Sequence, residues 1–522
     1  MVQLFNILQT KMILRLFYCI LLILVANTSN AQRIGCVHNE HSQARAISPL
    51  TADYQLLPNP VNFDPQKTYR QPVVLITFSD TKFSMANPAD YYNRLFNEKG
   101  FNQGVGLGCV ADYFRDQSNG RVNIQFDIYG PINVDEKAGG HRGYYFGGPA
   151  INKAIKQLCE TEKTDFAIYD WNGDSLVNQV LFIAAGYTGN QKSGYLWPNS
   201  GYNHITLPGG MLCNYTSISC EISGDDSLCG IGTITHEYFH CLGLPDIYPS
   251  APARAYSTVD TWDIMDGGNY TNKGWCPPNL SAMEKMYLGW ASPIELTEAT
   301  SIRNMRPISD GGETYIIRSS GNSDEFYLLE NRKQEGWDYG CPGNGLLIFH
   351  VDYSRSDWYN NYVNIADEHY RYDLFHADGR DYRDWDVNNN GKDPNKYTMD
   401  NSLRCRYLST SPYPYTNPTT FAVNDSLTDN SEPASVLFTA NAEGKKFMSK
   451  AITNIKLSED GTISFDFMNP NLSGVSILAT DENTTITGWY DLNGHRLSSP
   501  PYRPGIYIIQ YNDGTKKKCY RQ

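Results

Sequence analysis

Apolar runs and helical periods in the first half of the chain predict strands that alternate with helices. Uninterrupted apolar runs at 73–78 and 180–185 predict two buried strands. Helical patterns cover 89–95 and 110–117, and 281–290 is interpreted as a further helix. Such alternation favours a mostly parallel twisted sheet within an α/β fold.

The pattern changes in the second half. From about residue 297 to about residue 468, short strands are separated by Gly, Pro and Asn, which predicts an all-β region. In the last fifty residues, a strand and an Asn-Gly turn at 489–497 precede a second strand and turn at 505–514. This segment is predicted to form a small, separate β-sandwich-like unit.

One short predicted helix has an apolar face and a second face with two histidines. Its apolar positions follow the helical period and comprise Ile234, Tyr238, Cys241 and Leu242. On the other face His236 and His240 lie one turn apart, so both imidazoles can bind one tetrahedral ion. We expect the helix to end at Gly243, because glycine adopts the left-handed conformation that reverses a chain and Pro245 cannot continue the helix.

The reversal at Gly243 brings Asp246 back as a third metal ligand and leaves Glu237 beside the ion as a base. Two alternatives stay open. The histidines could be two hydrogen-bonded residues that match the pattern by accident, although such a match has odds of about one per cent in this composition. Glu284, on the helix predicted at 281–290, could replace Asp246 as third ligand.

The segment from His236 to Asp246 resembles the extended zinc motif of the metzincin metallopeptidases, in the Asp-ending form of the M6, or immune inhibitor A, family. The segment 262–270 is similar to the family's Met-turn, and the resemblance implies that Met265 forms the hydrophobic floor of the site. The likeness extends from about residue 70 to about residue 468. It includes the segments 71–80, 112–118, 327–332, 345–352 and 452–455.

This resemblance implies an α/β metzincin-like catalytic domain that hydrolyses peptide bonds of proteins. Glu237 is expected to take a proton from a zinc-activated water and to return it to the leaving amine. Tyr270, just past the Met-turn, is the candidate second donor to the oxyanion. A different class of function stays open: a surface adhesin or glycan-binding protein with a structural zinc site, although a structural site needs no base such as Glu237.

Two polar runs have the alternating oxygen ligands of calcium loops. The first comprises Asp170, Asn172, Asp174, the carbonyl of Leu176, and Asn178. The second comprises Asp386, Asn388, Asn390 and Gly391. Both lack the Glu that ends an EF-hand loop, and the first has Ser175 where that loop has Gly. Hydrogen-bonded Asx turns without an ion are the alternative.

Charge and the N-terminus indicate an exported protein. Residues 1–31 have Lys11 and Arg15, an apolar run, and Ser29-Asn30-Ala31, which together are typical of a secretory signal. Without this segment 41 basic and 56 acidic residues remain, a balance that argues against nucleic acid as partner. No later segment is apolar enough for a transmembrane helix.

The remaining features concern cysteines and the termini. Of 12 cysteines in the chain, Cys213, Cys220 and Cys229 lie close enough in sequence for one local disulfide, and Cys241 is expected to be a buried thiol.

The C-terminal strands and Lys516-Lys517-Lys518 resemble sorting domains of type IX secretion. The predicted organisation is a signal peptide (1–31), a pro-segment or extension (32–70), a catalytic domain (71–296), a β-rich domain (297–470) and a sorting-like domain (471–522).

Overall fold

The computed structural model describes residues 63–103, 105–138, 148–249, 257, 259–366, 369–380 and 408–468 and, near the C-terminus, 486–491, 495–497, 501, 505–512 and 516–521. The predicted signal, residues 32–62 of the predicted 32–70 segment and the second oxygen-rich run from Asp386 to Gly391 lie outside the described residues. Within them, no helix combines the length and apolar character needed to cross a membrane.

A six-stranded sheet forms the centre of the N-terminal half. Its strands are β1 (Thr68–Thr77), β2 (Asn123–Asn133), β3 (Leu176–Val177), β4 (Val180–Tyr187), β5 (Asn199–Thr206) and β6 (Leu212–Ile222). β1 pairs in parallel with β2 and β4, and β6 pairs in parallel with β3 and β4. Only β5, which pairs with β6, is antiparallel in this sheet. The pairing is therefore mostly parallel, as predicted.

Helices cover both faces of this sheet, which explains the uninterrupted apolar run of β1. The helices are α1 (Pro88–Asn97), α2 (Val110–Gln117), α3 (Gly148–Thr161) and α4 (Ile231–Cys241). Val73 and Leu75 belong to a core shared with α1, α2 and α4, whereas Val74 and Ile76 belong to a second core shared with α3. Successive residues of a strand point to opposite faces, so both sets are buried.

The helix α4 has defined ends. At its N-terminus a side chain on Gly232 would place its Cβ 2.0 Å from the carbonyl oxygen of Asn269, so glycine allows α4 to approach the 3₁₀ segment Gly268–Gly274. At its C-terminus Gly243 has φ 104°, and the amides of Gly243 and Leu244 donate to the carbonyls of His240 and Phe239. These two bonds form a Schellman motif, and the predicted reversal at Gly243 is present.

The second half is rich in β-structure, as predicted. A five-stranded sheet has the order β12-β11-β10-β9-β7, a three-stranded sheet has the order β15-β16-β8, and β13 pairs with β14. The strands are β7 (Ile294–Glu295), β8 (Thr300–Met305), β9 (Tyr315–Arg318), β10 (Glu325–Arg332), β11 (Gly345–Asp352), β12 (Tyr372–Leu374), β13 (Tyr415–Thr416), β14 (Val423–Asn424), β15 (Ile452–Leu457) and β16 (Ile463–Phe467).

Two short helices flank these strands. The first, α5 (Ala282–Tyr287), is shorter than the predicted helix because the chain turns at Gly289, where φ is 71°. The second, α6 (Arg355–Tyr359), follows β11 and begins at the cap Ser354.

The five-stranded sheet is buried on both faces. Phe326 of β10 and Phe349 of β11 lie in the same core as α2, α4 and α5, whereas Tyr327 and Ile348 lie in a third core with β15 and β16. One continuous core therefore crosses the predicted boundary at 296/297. The boundary itself stays a prediction, but the two regions pack together extensively.

Near the C-terminus, the described residues form one antiparallel sheet of order β18-β17-β19-β20. Its strands are β17 (Ile486–Tyr490), β18 (Arg496–Leu497), β19 (Gly505–Tyr511) and β20 (Lys516–Arg521). Ile509 and Tyr511 are buried there against Trp489 and Tyr507. The predicted strands are present, and the sandwich arrangement stays a prediction.

The expected local disulfide is wrong. Cys213, Cys220 and Cys229 are all free thiols. Cys213 and Cys220 lie on the same strand, β6. Seven residues of extended chain separate their Cα atoms by about 20 Å, far beyond the ~7 Å limit for a disulfide. Cys241 is only partly buried, and its Sγ lies 3.1 Å from the Oγ of Ser200.

Candidate metal centre

Three side chains converge at the C-terminal end of α4. The Nε2 atoms of His236 and His240 are 3.2 Å apart. The Oδ1 atom of Asp246 lies 3.4 Å from the first of these nitrogens and 3.1 Å from the second. All three side chains are buried. Among the described residues, no other group of three or more His, Cys, Asp or Glu side chains is arranged to hold a metal ion.

The other nitrogen of each histidine is held by the backbone. The carbonyl of Ile264 lies 2.7 Å from Nδ1 of His236, and the carbonyl of Leu244 lies 2.7 Å from Nδ1 of His240. Because a carbonyl only accepts, each Nδ1 carries the proton and each Nε2 offers a lone pair. Three acceptor atoms thus face one another at close range, and a proton or a cation must lie between them.

The raised pKa of His236 likewise indicates that the site favours a positive charge. Burial lowers this pKa, but the hydrogen bond to Asp246 and the charges of Glu237 and Asp246 outweigh burial and raise it to about 9. Two imidazole nitrogens and one carboxylate oxygen that are buried and face one another are a donor set that zinc prefers, with the fourth position of its tetrahedron left for water. The residues present therefore fit zinc.

Asp246 reaches the site because the chain reverses at Gly243, as predicted, but a distant residue orients it. The side-chain oxygen of Asn361 accepts a 2.6 Å hydrogen bond from the backbone amide of Asp246. Its Nδ2 donates a 2.8 Å bond to Oδ2 of Asp246. Sequence reasoning missed Asn361, since an asparagine 115 positions away carries no signal of this contact.

The predicted Met-turn connects both ligand segments. Met265 is fully buried. Its carbonyl accepts from the amide of Ile247, next to Asp246, while the preceding carbonyl, of Ile264, holds His236. The side chain of Asp263 caps the turn by accepting a 2.8 Å bond from the amide of Met265. The turn therefore fixes the two ligand segments relative to each other through its backbone.

Glu237 is fully buried on α4, next to His236, whose pKa its negative charge helps to raise. Tyr270 lies in the 3₁₀ segment Gly268–Gly274, and its hydroxyl accepts a 2.8 Å bond from Nδ2 of Asn190. Asn190 is itself held by the hydroxyl of Thr188 at 2.5 Å. Tyr270 is thus anchored to the loop after β4, and its predicted role stays a prediction.

A second tyrosine, which sequence reasoning missed, lies beside the metal ligands. The ring of Tyr248 stacks on His236 with centroids 6.4 Å apart and planes 19° from parallel. Its position two residues after Asp246 was the available signal.

Glu284 does not join the ligand cluster. It forms a capping box at the start of α5, where its Oε2 accepts a 2.6 Å bond from the amide of Ser281. Burial raises the pKa of Glu284 well above its usual value, and the charge of Asp263 raises it further. Glu284 is thus placed beside Asp263 and not with the histidines, and the geometry favours Asp246 as third ligand.

The first candidate calcium loop is closed by its own hydrogen bonds. Asp170 accepts bonds from the amides of Gly173, Asp174 and Ser175 at 2.7, 3.2 and 2.9 Å. The side chains of Asp174 and Asn178 accept from the backbone amides of Leu176 and Trp171. The side-chain Nδ2 of Asn172 donates to Oδ2 of Asp174. The Asx-turn alternative accounts for these contacts, and the structure gives no separate support for calcium.

The ligand geometry is compatible with a metallopeptidase domain, and the comparisons with known proteins agree with it. Residues 213–291, which contain α4, the Met-turn and α5, match the family model "Immune inhibitor A peptidase M6, catalytic domain". The chain is 23% identical over 244 residues to the pre-pro-metalloprotease PrtV of Vibrio cholerae serotype O1, covering 38% of this chain. It is 23% identical over 285 residues to immune inhibitor A of Bacillus thuringiensis subsp. alesti, covering 43% of this chain.

These likenesses support an M6 peptidase domain in this chain and, with it, a metalloendopeptidase of the hydrolase class. The alignments span only 26% and 41% of the length of these two relatives. The matched model describes a peptidase catalytic domain, which favours a peptidase over the alternative of an adhesin with a structural zinc site.

Proposed function

We propose that this chain is a secreted, zinc-dependent endopeptidase of the metzincin type that hydrolyses peptide bonds of protein substrates. The observation that carries the proposal is the buried convergence of His236, His240 and Asp246 beside Glu237, within the segment that matches the M6 catalytic domain. Export is proposed from the signal-like residues 1–31, and recognition by type IX machinery from the resemblance of 471–522.

The residues of this site have separate roles in the proposed peptide hydrolysis. His236, His240 and Asp246 would hold zinc, which lowers the pKa of a bound water from ~15.7 to ~7 and polarises the scissile carbonyl. Glu237 accepts the proton of the attacking water and then donates it to the leaving amine. Tyr270 is the proposed second donor to the developing oxyanion. The amide of Asn190 already donates to the Tyr270 oxygen, so the phenolic proton points elsewhere.

The test is to replace Glu237 by Ala and by Gln and to measure casein hydrolysis and zinc content on the same samples. We expect activity to fall by at least ~10²-fold, since that is the usual contribution of a general base, while zinc stays bound. Glu298→Gln is the matched control, because Glu298 is exposed. Loss of zinc together with activity would show that Glu237 is misassigned.

Calcium at the loop from Asp170 to Asn178 is a further proposal. Its support is the alternation of oxygen side chains in the sequence.

A further inference from the structure

Two hydrogen bonds between Asn361 and Asp246 fix the orientation of both side chains. Its oxygen faces a backbone N–H, which only donates, so its Nδ2 must face the carboxylate. The carboxylate in turn presents Oδ2 to Asn361 and Oδ1 to the two histidines. The orientations of the amide and of the carboxylate are therefore mutually determined.

The backbone conformation around Asn361 orients its side-chain amide toward Asp246. Asn361 has φ 63°, in the left-handed region that asparagine tolerates better than most residues. The neighbouring turn is closed by a 2.7 Å bond from the amide of Tyr362 to the carbonyl of Asp357. The side chain of Asn364 donates to the carbonyl of Ile247 at 3.0 Å and to that of Tyr372, in β12, at 2.7 Å.

We propose that Asn361 is a positioning residue of the metal centre, which holds Asp246 as a ligand through Oδ1 alone. The inference rests on the proposed zinc site and deepens it. Because the donor holds Oδ2, only Oδ1 would be available to a zinc ion, and coordination by two nitrogens and one oxygen would leave a fourth position for water. The connection between β11 and β12, in the predicted β-rich region, thereby completes a site whose ligands all lie before residue 247.

The test uses the full chain with Glu237→Gln as background, so that self-cleavage does not interfere and metal binding is read without activity. Asn361→Gly is added to it. Glycine removes both hydrogen bonds and accepts a φ of 63° without strain, whereas alanine would add strain of its own. Asn360→Gly is the matched control, since Asn360 is exposed one residue earlier.

Zinc affinity is measured by competition with a chromophoric chelator. We expect Asn361→Gly to weaken zinc binding by about 10- to 100-fold, the usual effect of losing such an outer partner, and Asn360→Gly to leave it unchanged. With cobalt(II) in place of zinc, the visible absorption of Asn361→Gly should weaken, because a freed carboxylate that binds through both oxygens raises the coordination number above four.

The outcomes separate the two proposals. If the Glu237→Gln parent binds no stoichiometric zinc, the proposed function fails. If the parent binds zinc and Asn361→Gly binds it equally well, the positioning role is overturned. A weakened affinity with an unchanged cobalt spectrum would also overturn it, since orientation of Asp246 would then not be the cause. Circular dichroism of the metal-free proteins checks that all variants are folded.

Discussion

The carboxyl pair beneath the Met-turn allows a prediction about pH and stability. Asp263 Oδ1 accepts from the amide of Met265, and Glu284 Oε2 accepts from that of Ser281. The remaining oxygens, Asp263 Oδ2 and Glu284 Oε1, are both buried. Burial raises the pKa of both groups, and for Glu284 the charge of Asp263 adds to the increase. We expect one proton to be shared between these oxygens, which would satisfy both.

The sign of the pH effect follows from this proton. Because the pKa of Glu284 is raised in the folded state, its contribution to stability is fully present below the unfolded value of ~4.3 and is lost as pH rises toward the native value. Between these limits the native protein binds about one proton more than the unfolded chain. The free energy of unfolding therefore falls by about 1.4 kcal/mol per pH unit from this group.

Glu284→Gln removes this titration but keeps the hydrogen bonds, since the Gln oxygen can accept from Ser281 and its nitrogen can donate to Asp263. We expect the stability of the variant relative to the wild type to increase by about 1.4 kcal/mol for each pH unit above ~4.3, until the pH reaches the native pKa of Glu284. Guanidinium unfolding at pH 5, 6 and 7 measures the difference, with Glu298→Gln as exposed control. A difference that is constant over this range would refute the shared proton.

Three other predictions concern the third metal ligand, the oxygen-rich loop at Asp170 and the C-terminal segment. Asp246→Ala should strongly lower zinc occupancy whereas Glu284→Gln should not, because only Asp246 lies with the histidines; equal occupancy in both would contradict the assigned third ligand. Calcium should raise the thermal midpoint, and a calcium-selective chelator should reverse the increase, if the loop at Asp170 binds the ion; an unchanged midpoint in both melts would favour Asx turns alone. A chain truncated after Pro470 should cleave casein when purified but stay cell-associated in a host with type IX secretion; normal secretion of the truncated chain would contradict the sorting role.

Much of the candidate metal site could be predicted because its determinants are local. The spacing of His236 and His240 matches one helical turn, and a glycine that can adopt the left-handed conformation ends the helix at a definite place. Asp246 follows within a few residues, so little chain freedom separates it from the histidines. The buried strand β1 was likewise evident, since a strand with cores on both faces must be apolar throughout.

Contacts between distant segments were decided only by the tertiary structure. Asn361 meets Asp246 because β11, α6 and β12 pack beside α4, and the packing of large β-structures is not encoded in any short pattern. Glu284 was a reasonable metal ligand by residue type, but its place in α5 directs it to Asp263 instead. Local periodicity thus determined which residues could bind zinc, whereas the packing of the β-rich half determined how Asp246 is held.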